Sequence, residues 1–144
     1  MAISEAIRDV LAADATLAAL ATGGIYSYEQ TGRNGISRVT TPNAYQPGGF
    51  LKPSVVVKAE AAKTVPAIRD SASGAQQMVE VYLYDDGDHG FDTLSSARDR
   101  VITLLDRQWL SGIGYLRQIS GADNERDPKL NNAALVQIAF TVTA

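Results

Sequence analysis

A chain of 144 residues with a formal net charge of −3 and no cysteine is one domain by size, has no general attraction to nucleic acid or anionic lipid, and excludes disulfides and thiolate metal sites. Its hydrophobic share of 45% and charged share of 20% are those of an ordinary globular protein, and no apolar run approaches the roughly 20 residues needed to span a bilayer. The first residues carry neither a basic nor an apolar signal region, so synthesis in a reducing cytoplasm is the expectation.

Residues 4–21 are predicted helical. Ser4 is the expected N-cap, Glu5 suits the first turn, and Ile7, Val10, Leu11, Leu17 and Leu20 form an apolar stripe. Asp14 is placed to cap a second turn, so the segment reads as two pieces bent at Ala13–Asp14 and stopped by Thr22-Gly23-Gly24. Ile25 to Tyr28 reads as a short strand. Periodicity is then lost over residues 29–52, where Gly, Pro, Asn and Thr dominate and Asn34-Gly35 is a hairpin-turn signal. This stretch is expected to be a long projecting loop or hairpin, a kind of connection that is commonly functional. Arg33 and Arg38 in it can meet a partner's carboxylates or simply be solvated, and Tyr45 and Phe50 are candidate contact residues.

Lys52-Pro53 leads into a second strand, Ser54 to Glu60, and the turn-rich residues 62–75 read as a linker or second arm. The unit from Gln76 to Trp109 organises the rest. Val79, Val81 and Leu83 alternate with Glu80, Tyr82 and Tyr84 as in a strand. After a tight Gly-Asp-His-Gly loop, Leu94, Ala97, Val101, Ile102, Leu104 and Leu105 recur at helical spacing, with Asp92 or Thr93 as cap and Trp109 as a lid on the core. Ile113 to Ser120 is a predicted strand, 123–129 a polar loop, and Ala133 to Val142 the last strand, with Val136, Ile138, Phe140 and Val142 on one face and a wet or partner-facing side opposite. The order α-β-β-β-α-β-β predicts a single α+β domain over 1–144, a mainly antiparallel or mixed sheet packed by two helices.

Catalytic, cofactor-binding and metal residues are not identifiable in this pattern. Asp85, Asp86, Asp88, His89 and Asp92 could together suit a divalent cation, but EF-hand spacing is missing and loop aspartates more commonly cap helical N–H groups, which is the expectation here. His89 is the single histidine, and no Gly-x-Ser-x-Gly elbow accompanies it. Gly23-Gly24 and Gly48-Gly49 lack the phosphate-loop context. Basic residues are interleaved with acids, unlike those of a groove-reading nucleic-acid domain.

The order of elements and three motifs carry a resemblance. Leu-Ala-Ala-Asp-Ala-Thr-Leu-Ala-Ala-Leu precedes Gly-Gly-Ile-Tyr; a variable loop leads into Pro-Ser-Val-Val-Val; and Val-Glu-Val-Tyr-Leu-Tyr-Asp-Asp is followed by the helix Phe-Asp-Thr-Leu-Ser-Ser-Ala-Arg-Asp-Arg-Val-Ile-Thr-Leu-Leu. In this the chain resembles the tail-completion (tail terminator, or tail-to-head joining) proteins of long-tailed bacteriophages. The resemblance implies a virion protein, assembled in the host cytoplasm, that forms a hexameric ring on the last ring of the tail tube. Such a ring ends tube polymerisation, meets the tube protein on one face and a neck or head-completion protein on the other, and lets DNA pass through its lumen without sequence-specific binding. It implies neither enzyme activity nor cofactor. Arg33, Arg38, Tyr45, Phe50, Lys52, Arg69, Asp85 and Asp86 are the candidate oligomer or partner contacts, with open sheet edges as the expected means of joining subunits. The alternatives are another neck or connector protein and, further off, an unrelated binding domain or metal-dependent enzyme.

Overall fold

The computed structural model describes residues 2–32, 35–60, 63–64 and 75–143. Its elements are α1 (Ile3–Ala12), α2 (Ala15–Leu20), β1 (Ile25–Ser27), α3 (Tyr28–Thr31), β2 (Ser54–Ala59), β3 (Lys63–Thr64), β4 (Ala75–Asp85), α4 (Asp92–Leu105), β5 (Gln108–Leu110), β6 (Gly114–Asp127) and β7 (Ala133–Thr143), with short 3-10 turns at Pro42–Ala44 and Pro128–Leu130. Six strands form one sheet in the order β1-β2-β4-β7-β6-β5, and β3 pairs beside them with β4. β1 runs parallel to β2; the other pairings are antiparallel. The fold is α+β, as the pattern of elements implied.

The sheet is covered on both faces, by different means. Its inner face is the main core, where Val55 and Val57 of β2, Val79, Val81 and Leu83 of β4, and Val136, Ile138, Phe140 and Val142 of β7 meet Ile7, Leu11 and Leu17 of α1 and α2 and Leu94, Ala97, Val101 and Leu105 of α4. A period of two on the strands and of three to four on the helices delivers these side chains to one layer. The break between α1 and α2 falls at Ala13–Asp14. Asp14 caps α2, its carboxylate accepting the Leu17 N–H at 2.9 Å. The same carboxylate is gripped by Arg100 of α4, Nε at 2.9 Å and Nη2 at 2.6 Å. A forked guanidinium–carboxylate contact of this kind fixes the angle of α2 against α4. The hydrogen bond from Arg100, then that from Leu17, lowers the Asp14 carboxyl from 3.8 to about 2. A depressed carboxylate stabilises the fold above its unfolded range and loses that contribution as pH falls from about 4 toward 2. Asp14→Asn keeps a capping side chain but removes the charge. Its melting temperature is expected to lie a few degrees below wild type at neutral pH, with the gap closing between about pH 4 and 2; thermal melts across that range measure it.

The N-terminal turn of α1 differs from expectation. Ala2 occupies the N-cap without a side-chain bond, while Ser4 is buried and its hydroxyl donates to Glu29 of α3. Ser4 is a tie between helices because Glu29 reaches it from the turn that follows β1, at a sequence distance no local pattern exposes. The strand expected through Tyr28 stops at Ser27, whose N–H donates to Gln30 Oε1 at 2.9 Å and so starts α3. Gly23 donates its N–H to Pro53 O at 2.7 Å, and a Cβ there would stand 2.2 Å from Ser54 Oγ and 2.9 Å from the carbonyl oxygens of Lys52 and Pro53. Gly23→Ala must therefore push the chain off the start of β2, at an expected cost of about 1–3 kcal/mol, read by chemical denaturation.

Residues 35–52 do not project. Ile36, Ala44 and Leu51 are buried against Val56 and Ala133, with Tyr26, Tyr45, Tyr82, Tyr84 and Leu130 packed around them, so the segment lies as a strap over the outer face of the sheet. Side-chain turns replace periodic structure in it. Thr40 N–H donates to Ser37 Oγ at 2.9 Å, Ser37 N–H to Thr41 Oγ1 at 3.1 Å, and a lone bridge joins Tyr45 to Leu51. Asn34, half of the expected hairpin turn, and most of 62–75, the expected second arm, lie outside the described residues.

Three further boundaries move. The helix α4 starts after Phe91, with Asp92 in its first turn rather than at the cap, and ends at Leu105. Arg107 then takes φ 58° and donates its N–H to Leu116 O at 2.8 Å, turning the chain into the β5–β6 hairpin. Trp109 is consequently 69% exposed on an outer strand instead of closing the core. The polar stretch 123–127, expected as loop, continues β6 to Asp127 along β7, with register shifts between Gln118 and Ser120 and between Ala122 and Glu125. Those bulges break the period of two and let polar residues lie in a strand.

Candidate docking surfaces

A groove of about 790 Å³ opens on the outer face between the strap, α3 and the turn after β6. Val56, Tyr82 and Tyr84 make its floor, because odd residues of β4 point into the core and even ones point out. Arg38, Tyr45 and Leu51 form one wall; Asp127, Lys129 and Leu130 form the other. Arg38 is fixed in place: its guanidinium lies 4.5 Å from the Tyr45 ring centre and its Nη2 donates to Gly49 O at 2.6 Å. Lys58 sits 5.4 Å from the Tyr28 ring centre at the opposite end from Asp86. Burial, then the charge of Asp127, pushes the Tyr84 hydroxyl up to about 12. Burial, then hydrogen bonding to Glu80 at 2.6 Å, raises Tyr82 as well. Both phenols are thus neutral donors at any ordinary pH, and the groove is a fixed aromatic trough with mixed charge at its ends.

The structure divides the sequence candidates. Arg38, Tyr45 and Asp86 line the groove. Phe50 is 51% exposed, with its ring 6.4 Å from that of His89. Lys52 is half-buried where the strap enters β2, and its N–H donates to Ala44 O at 2.7 Å. Asp85 is not a presented residue. It is 2% exposed, and its Oδ1 accepts the Asp86 N–H at 2.7 Å and faces His89 Nδ1 at 3.2 Å. The alternation of β4 places it on the inner face, in phase with Val81 and Leu83. Arg33 and Arg69 lie outside the described residues. Among the described residues no group of three or more His, Cys, Asp or Glu side chains is placed to hold a metal ion, and no helix is long and apolar enough to cross a membrane.

The two margins of the sheet are unlike each other. At β1, the outward Ile25 carbonyl is taken by Arg8 Nε at 2.8 Å, so that margin is closed by α1. At the other margin β5 has no further neighbour among the described residues. Trp109 stands opposite Tyr115 there, 69% and 38% exposed, with Ile119 at 50% further along β6. The sequence pattern hid this hydrophobic margin because Gln108 and Trp109 read as the end of the preceding helical unit; the signal for it was Ser111-Gly112-Ile113-Gly114, a turn between two short β-prone runs.

No protein-family model matches the chain and no curated protein matches it. Among solved structures, it is similar to a chain of the virion of native gene transfer agent (GTA) particle, with a TM-score of 0.61, 20% sequence identity, and coverage of 95% of this chain and 90% of that one. At that identity the likeness is one of fold, and it extends over the whole α+β domain rather than over a fragment of it.

Proposed function

We propose that the chain is a structural subunit of a phage-like virion, and within it a tail-terminator-like protein: a ring, hexameric by resemblance, that caps the tail tube and offers its other face to the neck or head-completion protein. The observation that supports a virion subunit is the end-to-end fold likeness to a chain of a gene transfer agent virion; the terminator role within it rests on the resemblance read from the order of elements and the β4–α4 unit. On this reading the protein works by docking and carries out no reaction. Arg38, Tyr45, Phe50, Lys52 and Asp86, together with Arg33 and Arg69, are the proposed contact residues, and DNA passes the ring without being read. Particles produced without the protein test the assignment. Overlong tails lacking heads are the expected product of losing a terminator, while filled heads lacking tails would make the chain a connector instead, and normal particles would contradict both.

A further inference from the structure

The open margin at β5 has a charge that says what can cover it. From Arg107 to Arg117 the chain carries two arginines and no acidic residue. Both are exposed, and neither takes part in an ion pair among the described residues. Asp106, next to Arg107 in the chain, accepts the Gln118 N–H at 2.8 Å, and the two arginines outweigh its single negative charge. Trp109, Tyr115 and Arg117 share the outer face by strand alternation. The hairpin therefore presents a cationic, aromatic surface beside unpaired strand backbone. Two such hairpins facing each other about a two-fold axis would bring like charges together, which costs affinity. A partner of opposite sign and similar apolar content is required.

The same chain has one, at the other end of α4. The loop joining β4 to α4 presents Asp86, Asp88 and Asp92, and beside it Arg126 donates from Nη1 to the Gly87 and Asn132 carbonyls at 2.9 and 3.1 Å. Phe50, exposed beside His89, supplies the apolar component. We infer that the β5–β6 hairpin, through Arg107, Trp109, Tyr115 and Arg117, docks head-to-tail on the acidic loop and Phe50 of a second copy of this chain. A contact between two different patches of identical subunits is heterologous, and it closes into a ring when its rotation allows. The inference rests on the ring reading above and assigns that ring its subunit interface.

Charge reversal tests it. Arg107→Glu/Arg117→Glu spoils only the hairpin, and Asp86→Lys/Asp88→Lys spoils only the loop. Each variant, checked for native folding by circular dichroism, is expected to weaken self-association at least roughly tenfold and to run as a monomer where wild type assembles. An equimolar mixture pairs each native hairpin with a native loop and each reversed hairpin with a reversed loop, so native mass spectrometry should find assemblies in which the two variants alternate, where neither assembles alone. The quadruple variant, with both signs exchanged, should assemble again. Trp109→Ser, which leaves every charge in place, should also weaken assembly. Either double variant assembling as well as wild type, or their mixture remaining monomeric, overturns the interface while leaving the ring reading intact. A wild-type chain that remains monomeric, alone and with tube subunits, overturns both.

Discussion

Phe140→Ala is expected to cost about 3–5 kcal/mol of folding stability, the range for truncating a closed-in aromatic ring. Phe140 is 0% exposed, on a strand flanked by β4 and β6, and lies opposite Val79 and Gln118. Against a total stability on the order of 5–15 kcal/mol, the loss should lower the melting temperature by roughly 6–20 °C for a domain of this size. Thr141→Ala, one residue along and on the outer face, should stay within about 0.5 kcal/mol. Urea unfolding of the two variants measures the contrast; equal losses would mean that β7 does not divide the faces as described.

Ile36→Asp should act differently. Ile36 is 2% exposed beneath the strap, and a carboxylate there would be buried without a partner, at a cost of several kcal/mol if it stayed. The strap has an escape, because it is held by short side-chain turns and one bridge rather than by a strand ladder. It is expected to detach locally while the helices and sheet stay folded. Trypsin cleavage after the exposed Arg38 should then accelerate at least tenfold, as roughly 1.4 kcal/mol of local opening free energy already allows, with a far smaller change in melting temperature than Phe140→Ala gives. Unchanged cleavage would show that the strap is not anchored by Ile36. The same detachment would dissolve the wall of the aromatic trough, since Arg38, Tyr45 and Leu51 belong to it.

What the sequence made legible was whatever repeats. The alternation in β4 and β7 and the helical stripe of α4 placed Val79, Val81, Leu83, Ile138, Phe140, Leu94 and Val101 correctly in one core. The bend at Asp14 was legible because an aspartate ahead of an apolar run is a local capping signal. The strap was not, because Ile36, Ala44 and Leu51 are separated by irregular turns and acquire a common side only through the sheet beneath them. The second half of β6, beyond Ser120, was hidden by its bulges, with Asn124 at φ 58° inside one of them. Asp85 could have been placed from the alternation of its own strand, but its acidic neighbours suggested a wet loop. The docking surfaces suffered most. Trp109 and Arg107 belong to a hairpin that begins where the helical spacing of Leu104 and Leu105 runs out, and side-chain type alone does not mark that change of direction.

Imaging the purified protein, alone and mixed with the tube subunits of its own particle, tests the central claim most directly. Closed rings, six-fold by the resemblance, are expected, seated at one end of tubes whose growth then stops. A protein that stays monomeric and leaves tubes uncapped and still lengthening would contradict it.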